Sequence, residues 1–387
     1  MPSLSNESLQ AALEQRKEKH LYRSRKIVSG RHSIETIIDG VPVLSFCSND
    51  YLGLATHPNV IKVLQQAAED LGLGSGASHL VSGHNHAHHA LEEELAEFVQ
   101  RERALLFSTG YMANLGVISA LLGRGDCLYE DRLNHASLLD AARLSMAQRL
   151  RYTHNDTQAL DSRLSTNNQS KRLIVTDGVF SMDGDIAPLP EIASLARKHE
   201  AWVMVDDAHG FGVLGKNGGG SLEHFGLNSD DVPILMGTLG KGLGSFGAFV
   251  AGSNALIETL IQQARPYIYT TALPPAVVQA TRTSLKLVTE ESWRRDKLNS
   301  LIQRFRHGAQ QLGITLTASN TAIQPIIIGQ SDAALQASDT LLSSGIFVSA
   351  IRPPTVAEGS ARLRITFSAN HSEGHIDQLL LALENTL

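Results

Sequence analysis

Between about residues 104 and 250, short apolar runs alternate with helical segments, and this alternation limits the possible folds more than any other feature of the chain. The clearest runs are residues 104–107, 173–176, 202–205, 234–236 and 248–251. Ile192, Leu195 and Ala196 mark one intervening helix by their spacing. A strand that is apolar on both faces must be covered on both faces. Helices between such strands therefore predict an α/β domain around a mainly parallel sheet.

The 387 residues exceed what one small core needs, so a second domain is expected. After Thr270, Thr271, Ala272, Leu273, Pro274 and Pro275, the pattern predicts one long helical segment to about residue 312. Strands are expected at 326–328, 347–350 and 362–367. A last helix carries Ile376, Leu379, Leu380 and Leu383 on one face. This part reads as a smaller C-terminal α+β domain. Near the start, residues 9–19 read as a surface helix and 41–46 as a strand. The Gly- and Ser-rich stretch 72–83 reads as a loop, before a helix bearing Leu91, Leu95, Phe98 and Val99. The expected division is an N-terminal arm at 1–50, a large domain at 51–282 and a small domain at 283–387.

Composition excludes some functions. Net charge is −6, so there is no cationic excess to neutralise a nucleic-acid backbone. No apolar run approaches the length needed to span a bilayer, and residues 1–20 lack the apolar core of a signal peptide. Cys47 and Cys127 are far apart and read as reduced thiols of a cytoplasmic protein.

Three of the apolar runs end in polar residues. The first enters Asp177-Gly178-Val179-Phe180-Ser181, the second Asp206-Asp207-Ala208-His209 and the third Gly237-Thr238-Leu239-Gly240-Lys241. Ligands of parallel α/β sheets bind beyond the carboxyl ends of the strands, so these groups are expected on one rim. A phosphate-binding P-loop ending at Lys241 would need Gly at 235 and Ser or Thr at 242; the chain has Leu235 and Gly242. The glycines at 215 and 218–220 read as a surface turn. A sheltered lysine amine can form an imine with an aldehyde. Pyridoxal phosphate (PLP) is such an aldehyde, and a carboxylate keeps its ring nitrogen protonated. Asp206 suits that task, His209 the ring oxygen and Thr238 the phosphate.

These residues carry a family resemblance. Asp206 with His209, the Ser181 loop, and Thr238 with Lys241-Gly242 resemble the α-oxoamine synthases, as do the segments from Thr176 to Gly184 and from Asn134 to Ser137. The resemblance extends from Asn49-Asp50-Tyr51-Leu52-Gly53-Leu54 to Arg362-Leu363-Arg364. It implies a fold-type I PLP-dependent transferase, similar in fold to aspartate aminotransferase, with a seven-stranded sheet. It also implies that an amino acid is joined to an acyl thioester with loss of carbon dioxide. Within the family, the segment from Ala350 to Val356 is similar to the biotin-pathway branch. That branch implies L-alanine and a pimeloyl thioester of coenzyme A or acyl-carrier protein. A sister branch using glycine and acetyl-coenzyme A, or a non-catalytic partner subunit, are the alternatives.

The resemblance implies residue roles too. Lys241, His135 and Asp206 would be catalytic, with His135 stacking on the cofactor ring. Gly110, Tyr111, Ser181, His209 and Thr238 would complete the cofactor site. Thr270 and Thr271 would reach the cofactor phosphate of the partner in a homodimer. Arg23, Asn49, His135, Thr355 and Arg364 would bind substrate, with Arg364 taking the amino-acid carboxylate as a bidentate pair. The chain departs from the family at Ala357-Glu358-Gly359-Ser360, near where the acyl chain would lie. His84, His86, His88 and His89 form a histidine-rich run. Metal ligation needs ligands that converge in space with supporting partners, and no metal is expected here.

Overall fold

The computed structural model describes residues 4–166 and 171–387, which form two compact units. The larger comprises Asn49–Ser181 and Asp185–Lys297. The other comprises Met1–Ser48, Met182–Gly184 and Leu298–Leu387, its first three residues lying outside those described.

The larger unit is built on a seven-stranded sheet. Its spatial order is Arg103–Phe107, Ala248–Gly252, Ile234–Thr238, Trp202–Asp206, Arg172–Asp177, Cys127–Asp131 and Gln148–Tyr152. Six strands run parallel, and Ala248–Gly252 runs antiparallel to both its neighbours. The reason is length. Only residues 239–247 join it to Ile234–Thr238, too few for a crossover helix, so the chain turns back on itself.

Both faces of the sheet are covered, as the apolar runs predict. Along Trp202–Asp206, Met204 enters one core cluster while Val203 and Val205 enter the other. Helices Gly110–Leu121 and Ala136–Ser145 contribute Val117, Ile118 and Leu138 to the first cluster. Thr157–Ser165 and Leu189–Lys198 contribute Leu160, Leu164 and Ile192 to the second. Each such buried aliphatic side chain stabilises the unit by about 1.5–3 kcal/mol.

Several sequence expectations need correction. Cys127–Asp131 and Gln148–Tyr152 are strands without a clear apolar run, because part of their stability is polar. Buried Glu130 receives Arg149 Nη2 at 2.7 Å from the adjacent strand. The long helix is two, Pro275–Glu290 and Trp293–Gln311. Within the expected loop 72–83, His79–Gly83 forms one π-helical turn.

The smaller unit draws on both chain ends. Ile346–Phe347 pairs in parallel with Val41–Ser45, completing a four-stranded sheet. A second sheet orders Ile323–Gly329, Ala361–Thr366 and Ser349–Ile351. The final helix, Glu373–Glu384, buries Ile376, Leu379 and Leu383. Among the described residues no helix is long and apolar enough to cross a membrane.

Candidate active site

The carboxyl ends of the parallel strands bring the expected residues of the larger unit onto one rim. Gly110 and Tyr111 follow Arg103–Phe107, and His135 follows Cys127–Asp131. Ser181 follows Arg172–Asp177, His209 follows Trp202–Asp206, and Lys241 follows Ile234–Thr238. Strand register sets Asp177 opposite Asp206, and Asp206 opposite Met236.

Lys241 lies at one end of a hydrogen-bonded chain. Its Nζ is 2.9 Å from His209 Nε2, and His209 Nδ1 is 2.6 Å from the Tyr51 hydroxyl. That hydroxyl donates to Asn49 Oδ1 at 3.2 Å. These directions agree if Lys241 donates to Nε2 and His209 donates from Nδ1 to Tyr51. Tyr51 and His209 are buried, so the middle of the chain is sheltered, while Asn49 and Lys241 are half-buried. Asp50 fixes the turn that presents Asn49 and Tyr51 by accepting from Leu54 N and Ala55 N at 2.9 and 3.1 Å.

Asp206 lies at one end of a second chain. Its carboxylate accepts Ala208 N at 3.0 Å and Asn114 Nδ2 at 2.7 Å. The same Nδ2 reaches Ser137 Oγ at 2.8 Å, and that oxygen is 2.7 Å from His135 Nδ1. His135 N donates to Asp177 Oδ2 at 2.7 Å. His135 is solvent-accessible but partly covered where it caps the following helix by accepting Ser137 N. That partial burial lowers its pKa below the usual histidine value; the charge of Lys241 adds to the effect, and Asp206 and Asp140 oppose it. Burial, reinforced by the neighbouring Asp206, raises Asp177 well above the carboxylate range.

Gly110 begins its helix beside Thr238, where an added Cβ would lie 2.9 Å from Thr238 Cγ2. Thr238 Oγ1 donates to Ala208 O at 3.4 Å, and Tyr111 donates to Asp140 Oδ2 at 2.5 Å. Thr270 and Thr271 lie on another segment, where Thr271 bridges Ser78 and Ala272 N donates to Ala77 O at 3.0 Å.

Three expected residues belong to the smaller unit. Arg23 Nη2 donates to Thr355 Oγ1 at 3.0 Å. Arg352 donates to the carbonyls of His20 and Tyr22, holding its loop to the N-terminal segment. Arg364 is buried on Ala361–Thr366. Nearby Cys47 is pushed up to about 11 by burial, against hydrogen bonds from Ser349 and the charge of Arg364.

The histidine-rich run has a structural role. His88 bonds to Asn85 and to Leu273 O, and His79 stacks on Tyr267 while touching His84. His84, His89 and Glu92 do bring donor atoms within 4.8 Å of one another. His89, however, is largely exposed and turned to Glu93 at 3.4 Å. The other carboxylate oxygen of Glu92 accepts Leu106 N at 2.9 Å.

Sequence reasoning did not select Tyr51, Asn114, Ser137 or Asp177 as site residues. Tyr51, Ser137 and Asp177 lie inside the quoted motifs, so a signal was present. Asn114 carried none, being one polar residue in a helix interior.

Residues 41–383 match the family model described as aminotransferase class I and II. The chain is 60% identical over 380 residues to an 8-amino-7-oxononanoate synthase of Thioalkalivibrio sulfidiphilus, covering 98% of this chain and 97% of that one. It is 60% identical over 375 residues to an 8-amino-7-oxononanoate synthase of Nitrosococcus oceani, covering 97% of this chain and all of that one. A serine palmitoyltransferase variant from S. paucimobilis, solved with a bound PLP–myriocin aldimine, superposes with a TM-score of 0.93. It is 32% identical, covering 98% of this chain and 96% of that one. The chain belongs to the aminotransferase class I and II family and, within it, to the 8-amino-7-oxononanoate synthases.

Proposed function

We propose that this enzyme condenses L-alanine with a pimeloyl thioester, using pyridoxal phosphate. The carrier thiol and carbon dioxide leave, and 8-amino-7-oxononanoate is formed for biotin biosynthesis. The observation that carries this reading is the pairing of Lys241 with His209 beside buried Asp206, in a chain so similar along its length to synthases of that name.

The residues fit the cofactor. It needs an amine for its aldehyde, a carboxylate for its ring nitrogen and a cradle for its phosphate. Lys241 and Asp206 supply the first two. Gly110 and Tyr111 supply amides that precede the hydrogen-bond ladder of their helix, a setting that favours an anion. The lack of a side chain at Gly110 keeps the approach past Thr238 open. We assign Ser181, Thr238 and His209 to the same group, all within residues 51–282. Thr270 and Thr271 are assigned to the cofactor phosphate of a second copy, which makes a homodimer the working form.

When bound, pyridoxal phosphate supplies an electron sink for negative charge at the amino-acid Cα. Lys241 Nζ removes the Cα proton of alanine, and a proton is returned at that carbon after carbon dioxide has left. His209, Tyr51 and Asn49 orient Lys241. Asp206 would pair with the ring nitrogen of the cofactor. His135 would lie against its ring. Arg364 takes the alanine carboxylate, while Arg23, Asn49 and Thr355 bind the remaining substrate groups.

The test crosses glycine, alanine and serine with acetyl, succinyl and pimeloyl thioesters of coenzyme A and of acyl-carrier protein. Carbon dioxide and free thiol are measured together. Alanine with a pimeloyl thioester is expected to give the highest kcat/KM; a preference for glycine with acetyl-coenzyme A overturns the substrate assignment. Lys241→Ala should abolish turnover, and turnover retained by that variant overturns the role of Lys241.

A further inference from the structure

Asn114 is fully buried in the Gly110–Leu121 helix, where an amide side chain adds nothing to helix stability. What it does is set hydrogen positions. Its Nδ2 lies 2.7 Å from Asp206 Oδ2 and 2.8 Å from Ser137 Oγ. An ionised carboxylate only accepts, so the amide must turn its NH2, not its carbonyl, toward Asp206. One amide hydrogen goes to Asp206 and the other to Ser137. Ser137 Oγ accepts from that amide and keeps one hydrogen of its own, which can be directed to His135 Nδ1 at 2.7 Å.

A second contact gives the same answer. Ser137 N also donates to His135 Nδ1, at 3.3 Å, as part of the helix cap. A backbone N–H cannot become an acceptor. His135 Nδ1 is therefore the acceptor nitrogen, and a neutral imidazole so held carries its hydrogen on Nε2.

We infer that Asn114 and Ser137 are positioning residues that hold His135 as the neutral Nε2–H tautomer and couple that state to the charge on Asp206. The inference rests on the proposed function for its use, but not for its geometry. The charged groups facing His135 are Asp206, Asp140 and Lys241, with Asp177 at its backbone N–H. They pull in both directions, so the hydrogen-bond chain decides. Protonation of Nδ1 would require the Ser137 hydroxyl to turn away. Its oxygen would then face two donors while its hydrogen lost its acceptor. Losing that bond lowers the proton affinity of His135.

Two consequences follow for the reaction. His135 presents an uncharged ring and an Nε2–H donor, so the proton taken from Cα rests on Lys241. In addition, neutralising Asp206 frees the Asn114 amide to reverse, which releases the Ser137 hydroxyl and the His135 tautomer. A change at one end of the chain is thus felt at the other without direct contact.

The test is nitrogen-15 spectroscopy of the imidazoles in the full-length protein, with and without PLP, from about pH 4 to about pH 9. His135 is assigned by loss of its signals in His135→Gln. Above its titration midpoint the parent should show Nε2–H and an unprotonated Nδ1; a proton on Nδ1 of the neutral ring overturns the inference. Ser137→Ala should move the His135 titration up by about one pH unit, and Ser137→Thr should restore it. A Ser137→Ala titration identical to that of the parent also overturns the inference. Because the tautomer is read without substrate, this outcome is separate from that of the thioester panel.

Discussion

Asp206 ends one strand and Asp207 is the next residue, yet they meet opposite surroundings. Asp206 receives the Asn114 amide and Ala208 N on its two oxygens and lies on the rim with Lys241 and His135. Asp207 is fully buried and receives Ser221 N at 2.7 Å. A side chain at Gly178, Gly210 or Gly220 would run into its carboxylate. Burial pushes Asp207 up to about 7, against the pull of Ser221. Successive side chains of a strand point to opposite faces, so one residue of offset separates a chemical group from a packing group. The comparison teaches that two buried carboxylates are set apart by what faces them: the Asn114 amide and Ala208 N for Asp206, Ser221 N and packed glycines for Asp207.

The largest expected effect tests that contrast directly. Asp206→Asn should lower the condensation rate by about a thousandfold, because it removes a preorganised charge from the reacting group. Asp207→Asn should stay within about tenfold, because the Asp207 carboxylate packs against Ser221 and glycines and not against the reacting group. Parallel steady-state assays decide, and equal losses would break the distinction.

Next is Gly220→Ala. Gly220 has φ 92°, and its new Cβ would overlap the Asp207 carboxylate. A loss of about 2–4 kcal/mol in stability is expected, seen as a lower denaturation midpoint. An unchanged midpoint would show that the Asp207 pocket yields easily.

A smaller effect appears in the pH dependence of stability. The folded pKa of Asp207 lies above its unfolded value of 3.8. Its stabilising contribution is therefore complete below about pH 4 and is lost as pH rises through about 7. Asp207→Asn should flatten the fall in melting temperature between those limits, and a parallel curve would show that Asp207 does not titrate there.

The smallest expected effect sharpens the comparison with a third setting. Asp131 and Asp185 are given a cation, His154, at 3.0 and 2.8 Å. Burial opposes the charge of His154, but those hydrogen bonds outweigh it and raise the group to about 10. Its contribution is full below pH 6.5 and lost as pH rises through about 10. His154→Gln should lower the melting temperature at pH 7 by a few degrees and converge with the parent above pH 10. A difference that persists there would assign the loss to packing.

Legibility in the sequence followed the kind of interaction. Strands buried on both faces, such as Trp202–Asp206, could be read because apolar burial leaves a local pattern. Gln148–Tyr152 could not, because its place depends on Glu130 of the neighbouring strand. The glycines at 215 and 218–220 read as a surface turn, yet Gly218 and Gly220 are buried, and Gly220 lies against Asp207. The turn chemistry was local, but its contact was not.

The sequence by itself determined the doubly covered sheet and the chemistry at its strand ends. Lys241, Asp206 and His209 each follow an apolar run that can only be a strand, and the parallel order sends every such end to one rim. Tertiary structure alone decided which groups share hydrogens. Asn114 meets Asp206 across 92 residues of chain, and Tyr51 meets His209 across 158. A hydrogen bond depends on a few tenths of an ångström between distant segments, and no local periodicity records that distance.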